Sequence, residues 1–173
     1  MAETKTLEDR AQDYREFRDN CQTLVLSTID DAGQPFISYA PFVIHEGQMY
    51  VYISKIAEHY WHLSASKSVN AMMLADESAS RNLFARERAR FLCDVEVIED
   101  ESGYGQVFDK LNGRFKKSLL DLLRTLDFSL FRLTPSTGRY VVGFGLAFDT
   151  DLEARDFAEV QVEKRKEEIS RMG

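Results

Sequence analysis

Between Leu7 and Asn20 apolar residues recur at three- and four-residue steps (Leu7, Ala11, Tyr14, Phe17) in an otherwise charged segment, which predicts a helix. From Gln22 the pattern changes to β-branched and apolar runs. Gln22–Asp30 is one such run, and Asp31-Ala-Gly-Gln-Pro35 breaks it with a glycine and a proline. Phe36–Ile44 and Gln48–Ser54 follow, separated by a His45-Glu-Gly turn, so three consecutive strands are expected. Ala57–Ser66, with Tyr60, Trp61 and Leu63, reads as a short helix, and Val69–Ala75 returns to strand. Arg86–Ile98 alternates: Ala89, Phe91, Cys93, Val95 and Val97 share one face, and Arg88, Arg90, Asp94 and Glu96 the other. Tyr104–Leu126 carries one apolar stripe (Phe108, Leu111, Phe115, Leu119, Leu122, Leu126) and predicts a single helix. Asp127–Thr134 and Arg139–Phe148 form a last strand pair around Pro135-Ser-Thr-Gly138, and the charged tail from Asp151 reads as helix.

Six or seven strands with intervening helices predict a mainly β (α+β) chain, a small barrel with peripheral helices. One domain over residues 1–173 accounts for the pattern: a helix at about 6–20, a barrel at about 22–148 with a helical insertion at about 103–126, and a C-terminal helix at about 151–171. A hydrophobic fraction of 44%, with 12 Phe and 7 Tyr, suits a packed core. A net charge of −7 argues against nucleic acid as a partner. No stretch reaches the roughly 18 apolar residues of a membrane span, so no membrane partner is expected. The charged start, without an apolar core, predicts no signal peptide. Cys21 and Cys93 read as two reduced thiols, so the cytoplasm is expected.

Three groups of residues could carry chemistry. Arg86, Arg88 and Arg90 fall at period two and could clamp a phosphate or carboxylate, or simply form a solvated edge. Gly143-Phe-Gly145 could bare a strand face for a flat ring, or mark a bulge or corner. His59 and His62, three apart on the short helix, could touch a cofactor, but they lack the third ligand of a metal site. No nucleophile elbow, phosphate loop or dinucleotide fingerprint occurs, so a bound cofactor would have to supply any redox chemistry.

The run Gly33-x-Pro35-x-x-Ser38-Tyr39-Ala40-Pro41-Phe42-Val43, followed by Tyr50-Val51-x-Ile53-Ser54, resembles the flavin-binding split-barrel superfamily that contains pyridoxamine-phosphate oxidase. More narrowly it is similar to the haem-utilisation (HutZ/HugZ-type) branch. The likeness extends to Leu83-Phe-Ala-Arg86, Asp127-Phe-x-Leu-Phe-Arg-Leu133, Gly143-Phe-Gly145 and the charged tail. It implies a homodimer with a cofactor in each intersubunit cleft. Where the flavin oxidases place phosphate-binding basic residues, this chain has Phe36, Pro41, Glu58 and His59. The haem branch uses a C-terminal histidine as axial ligand, oriented by an aspartate that corresponds to Asp127. Here the histidine position reads Lys164, within Asp156–Lys166, and no histidine follows His62.

Three functions follow. A haem-utilisation protein would hold the propionates with Arg86, Arg88 or Arg90 and reach iron with His59 or His62. An FMN-dependent oxidoreductase would line its flavin with Ser38, Tyr39 and Ser54 and hold the phosphate on the arginine strand. A cofactor-free dimer would serve as a binding module.

Overall fold

A computed structural model describes residues 5–160. The first helix, α1 (Leu7–Asn20), begins at a reciprocal cap: the Asp9 amide donates to Thr6 Oγ1 at 3.1 Å, and the Thr6 amide donates to the Asp9 carboxylate at 2.8 Å. It buries Ala11, Tyr14 and Phe17, as its spacing predicts, and the Tyr14 hydroxyl donates to the Leu152 carbonyl at 3.0 Å. Then come β1 (Thr23–Ile29), β2 (Pro35–His45), β3 (Gln48–Ser54), α2 (Glu58–Ala65), β4 (Ser68–Leu74) and β5 (Arg88–Ile98). Helices α3 (Gly105–Phe115) and α4 (Lys117–Arg124) lead to β6 (Phe128–Gly143), β7 (Leu146–Thr150) and β8 (Phe157–Glu159).

All strand pairs are antiparallel, in the order β3-β2-β1-β4-β5-β6-β7-β8, and β3 also pairs with β6. That second pairing closes six strands into a barrel and leaves β7 and β8 as an extension, a split β-barrel with peripheral helices. Closure removes the exposed edges that a short sheet would present. Leu24, Leu26, Phe42, Val51, Ala71, Phe91 and Phe131 fill the interior. A second core (Val43, Tyr50, Ile98, Leu130) lies on the outside of the barrel, under Val107, Phe108, Leu111 and Leu120 of α3 and α4.

Three expectations are corrected. The single helix over Tyr104–Leu126 is two, broken at Lys116, whose φ of 71° no right-handed helix contains. The stripe leaves the core there: Leu120 is buried, while Leu119, Leu122 and Leu126 are exposed. The turn at Pro135–Gly138 is a bulge within one 16-residue strand, opposite Phe91–Cys93, with Ser136 Oγ donating to the Leu92 carbonyl at 3.0 Å. The hairpin turn falls instead at Gly143–Gly145, where Gly145 takes φ 69°. Finally, the tail expected to be helical from Asp151 starts with turns and the strand β8, because Phe157 packs on Phe148 at 4.8 Å between ring centroids. Its continuation, with Lys164, lies outside the described residues.

Candidate functional site

The resemblance joins Ser54, Asp127 and the α2 histidines in one site, and the barrel brings them to one end. Ser54 ends β3 opposite Phe128, the first residue of β6. One residue on, the Lys55 amide donates to the Asp127 carbonyl at 2.8 Å, and Lys55 Nζ lies 3.4 Å from the Asp127 carboxylate. Asp127 is therefore an ion-pair partner that ties the start of β6 to the turn between β3 and α2. His59 stands on the first turn of α2. Burial, and secondarily the neighbouring His62, hold its pKa below the ordinary 6.5, so it is uncharged at neutral pH.

His62 packs edge-on against Phe36 at 4.4 Å, with its Nδ1 buried and without a hydrogen-bond partner. Thr28 lies opposite Phe36 on β1, and Ser38 follows Phe36 by two residues on the same face; both hydroxyls are buried and also lack partners. Three unpartnered polar atoms thus belong to residues that neighbour Phe36 in register, in sequence or in contact. Ser38 and Tyr39, expected together along a cofactor, fall on opposite faces of β2: Ser38 faces inward and Tyr39 outward. Strand alternation makes that separation unavoidable.

The three arginines also part company. Arg86 precedes β5 rather than lying in it; its Nε donates to the Ala75 carbonyl at 2.8 Å, and it pairs with Glu77 at 3.6 Å. It lines a groove of about 850 Å³ between α1 and the end of β4, beside Cys21 and Glu87. Arg88 turns back to the Arg86 carbonyl at 2.8 Å. Only Arg90 projects from the outer face of β5 without a hydrogen bond or ion pair among the described residues. It lies opposite Arg139 of β6, whose charge Asp149 neutralises through bonds of 2.9 and 3.2 Å. Arg90, Leu92, Gly138 and Arg139 line a cavity of about 180 Å³.

Register continues this outer face sideways. Arg90 pairs with Met72, Met72 with Val25 and Val25 with Tyr39; the next row is Leu92, Asn70, Ser27 and Ile37. Ile37 is 72% exposed, Tyr39 66% and Leu92 50%. An apolar field and one unneutralised guanidinium therefore share one surface, about 14 Å wide from β2 to β5. Gly143 and Gly145 form the β6–β7 turn and bare no strand face for a ring. The close approach that glycine permits is at Gly138 instead. Sequence reasoning missed Arg139 and Lys55; Lys55 follows Ser54 directly, and Arg139 begins the strand segment read as Arg139–Phe148. Among the described residues, no three His, Cys, Asp or Glu side chains gather to hold a metal ion.

Comparison with known proteins agrees with the fold. Residues 11–142 match the pyridoxamine 5'-phosphate oxidase family model. The chain is 39% identical over 137 residues to a protein of Vibrio cholerae described as haem oxygenase HutZ, covering 79% of this chain and 78% of that one. The crystal structure of HutZ, there described as a haem storage protein, matches with a TM-score of 0.67 at 37% identity over 72% of this chain and 89% of that one. Campylobacter jejuni ChuZ matches with a TM-score of 0.80 at 26% identity over 91% of this chain and 64% of that one. This chain belongs to the pyridoxamine 5'-phosphate oxidase family, near its HutZ-type members.

Proposed function

We propose that this protein binds haem between two copies of its barrel, as a cytoplasmic homodimer serving haem-iron utilisation. The observation that carries the reading is the 39% identity to HutZ over most of both chains. The structure adds a surface of suitable chemistry. Ile37, Tyr39 and Leu92 offer apolar area that a lone barrel leaves in water, where large contiguous apolar patches usually mark interaction sites. Arg90 supplies a cation for a propionate, where a planar guanidinium gives two parallel bonds. A second copy seated on this face would bury the apolar field and leave a macrocycle walled on both sides.

The FMN reading has less behind it. At positions where flavin relatives hold phosphate, Phe36 is turned inward onto His62 and Glu58 carries a negative charge. His59, uncharged at neutral pH, and His62 are the α2 residues able to offer nitrogen to iron, from the same subunit or its partner. Bound haem would supply the iron chemistry, and the protein would orient it and control access of water. Buried, unreactive thiols suit a reducing compartment: burial raises the pKa of Cys21 to about 11 and of Cys93 to about 12.

The test is titration of the purified protein with haemin and, separately, with FMN. A saturable Soret shift at one haem per subunit supports the reading, and flavin retained through gel filtration in place of haem would sink it. Adding a reductant in air to the haem complex then separates the two descriptions of HutZ: progressive loss of the Soret band marks cleavage, and persistence marks storage.

A further inference from the structure

Arg90 and the histidines of α2 are the two polar halves of the haem site proposed above, and a single barrel holds them apart. Arg90 points outward from β5. His62 packs instead on Phe36, which shares the inward face of β2 with the buried Ala40 and Phe42. Register places Arg90 in the row of Met72, Val25 and Tyr39, and Phe36 lies three residues before Tyr39. Three strand spacings and three residues make roughly 17 Å over the sheet, with the barrel wall between the two side chains. His59 is further away. It follows the Lys55–Asp127 pair at the other end of the β5–β6 ladder, where Ile98 pairs with Leu130. Arg90 to Ile98 is roughly 27 Å along β5. A macrocycle whose propionate meets Arg90 is therefore out of reach of the α2 histidines of the same chain.

A two-fold axis can bring them together. The face assigned to the second copy has unlike edges: Arg90 and Leu92 on β5, and the exposed Ile37 and Tyr39 on β2. An isologous contact on such a face has two simple forms. An axis running across the strands lays the Arg90 of each copy against that of the other, like charge on like. An axis running along the strands exchanges the edges, so that β2 of one copy lies over β5 of its partner. Ile37 and Tyr39 then cover the partner's Leu92, which buries the apolar field from both sides. Phe36 adjoins Ile37 and carries His62 on its ring, so α2 of one copy arrives at the Arg90 edge of the other. Charge and apolar burial both favour this second form.

We propose that each haem is held by Arg90 of one copy and by an α2 histidine of the other, so that neither copy contains a complete site. The inference rests on the haem reading above and goes beyond it by assigning the two contacts to different chains. Two equivalent sites result, related by the two-fold axis.

Mixed dimers, purified through two different affinity tags and titrated with haemin, test it. One chain carries Arg90→Ala and the other His59→Ala/His62→Ala. Each variant homodimer is expected to bind haemin about tenfold more weakly than the parent, with its mass and melting temperature near the parent's. The mixed dimer is expected to take up one haem at parent affinity, because it pairs an intact Arg90 with intact histidines at one site and combines both defects at the other. The converse mixed dimer, with every substitution on one chain and a parent chain beside it, has a defect in each site and is expected to show no parent-like uptake. The reverse pattern, parent-like uptake in the converse dimer alone, overturns the pairing and leaves the haem reading standing. So does a histidine double variant with the affinity and Soret band of the parent. A parent that binds no haemin sinks the haem reading itself, and the pairing with it.

Discussion

Gly138 lies so close to Phe91 that a Cβ placed on it would stand 2.3 Å from the ring's Cδ1 and 2.6 Å from the Arg90 carbonyl oxygen. Phe91 is fully buried inside the barrel and the carbonyl belongs to the β5 ladder, so neither can give way. Gly138→Ala is therefore expected to cost about 2 kcal/mol or more, by overpacking. Gly143→Ala meets nothing within 4 Å at an ordinary φ and is expected to stay within about 0.5 kcal/mol of the parent. Urea melts of the two variants make the comparison.

Arg114 joins α3 to the barrel through backbone oxygens alone. Its guanidinium donates to the carbonyls of Cys21 at 2.9 Å, Phe42 at 3.2 Å and Asp19 at 3.2 Å, with the Phe42 ring 5.7 Å away. Lysine cannot reach three acceptors in that geometry. Arg114→Lys is expected to lose about 1–3 kcal/mol of stability, read as a lower denaturant midpoint at unchanged slope.

Glu87 sets a pH dependence. Burial raises its pKa above the ordinary 4.5; the hydrogen bond from Tyr140 opposes this, and Asp13 adds to the rise. An acid with a raised folded-state pKa binds its proton more tightly when folded, so it favours the fold below 4.5 and loses that contribution as pH climbs through the raised value. Glu87→Gln keeps an acceptor for Tyr140 and removes the charge. Its melting temperature relative to the parent is expected to be higher at pH 8 and to converge as pH falls toward 4.5. A gap that widens on acidification would show the opposite sign.

Arg90 and Arg86 separate on haem. Arg90→Ala removes the unpaired cation of the outer face and is expected to weaken haemin binding about tenfold. Arg86, held by Ala75 and Glu77, is expected to leave affinity near the parent's when changed to alanine. Ile37→Asp puts a charge into the face assigned to the second copy, so it should give a monomer in light scattering and lower haem uptake with it. Parent-like mass and affinity in Ile37→Asp would move the cleft elsewhere.

Strand content was legible where one face is buried, as in Ala89, Phe91 and Cys93, because alternation records burial directly. The break at Lys116 was not, since neither proline nor glycine marks it and the leucines continue in step while their environment changes from core to solvent. Pro135 and Gly138 look like a turn in the chain, but β5 pairs along both sides of them and holds the strand together. The site was legible in its residue types and not in its assembly. Ser38 and Tyr39 are adjacent in sequence yet face opposite ways, and Arg86 leaves the strand that its spacing from Arg88 implies. Asp127 and Lys55 are distant in sequence, and only the β3–β6 pairing joins them.

The most direct measurement is the absorption spectrum of the purified protein during haemin titration. A Soret band that shifts and saturates at one haem per subunit, and is weakened in Arg90→Ala but not in Arg86→Ala, is the expected result. A spectrum no different from haemin in buffer, or flavin bands retained in its place, contradicts haem binding by this barrel.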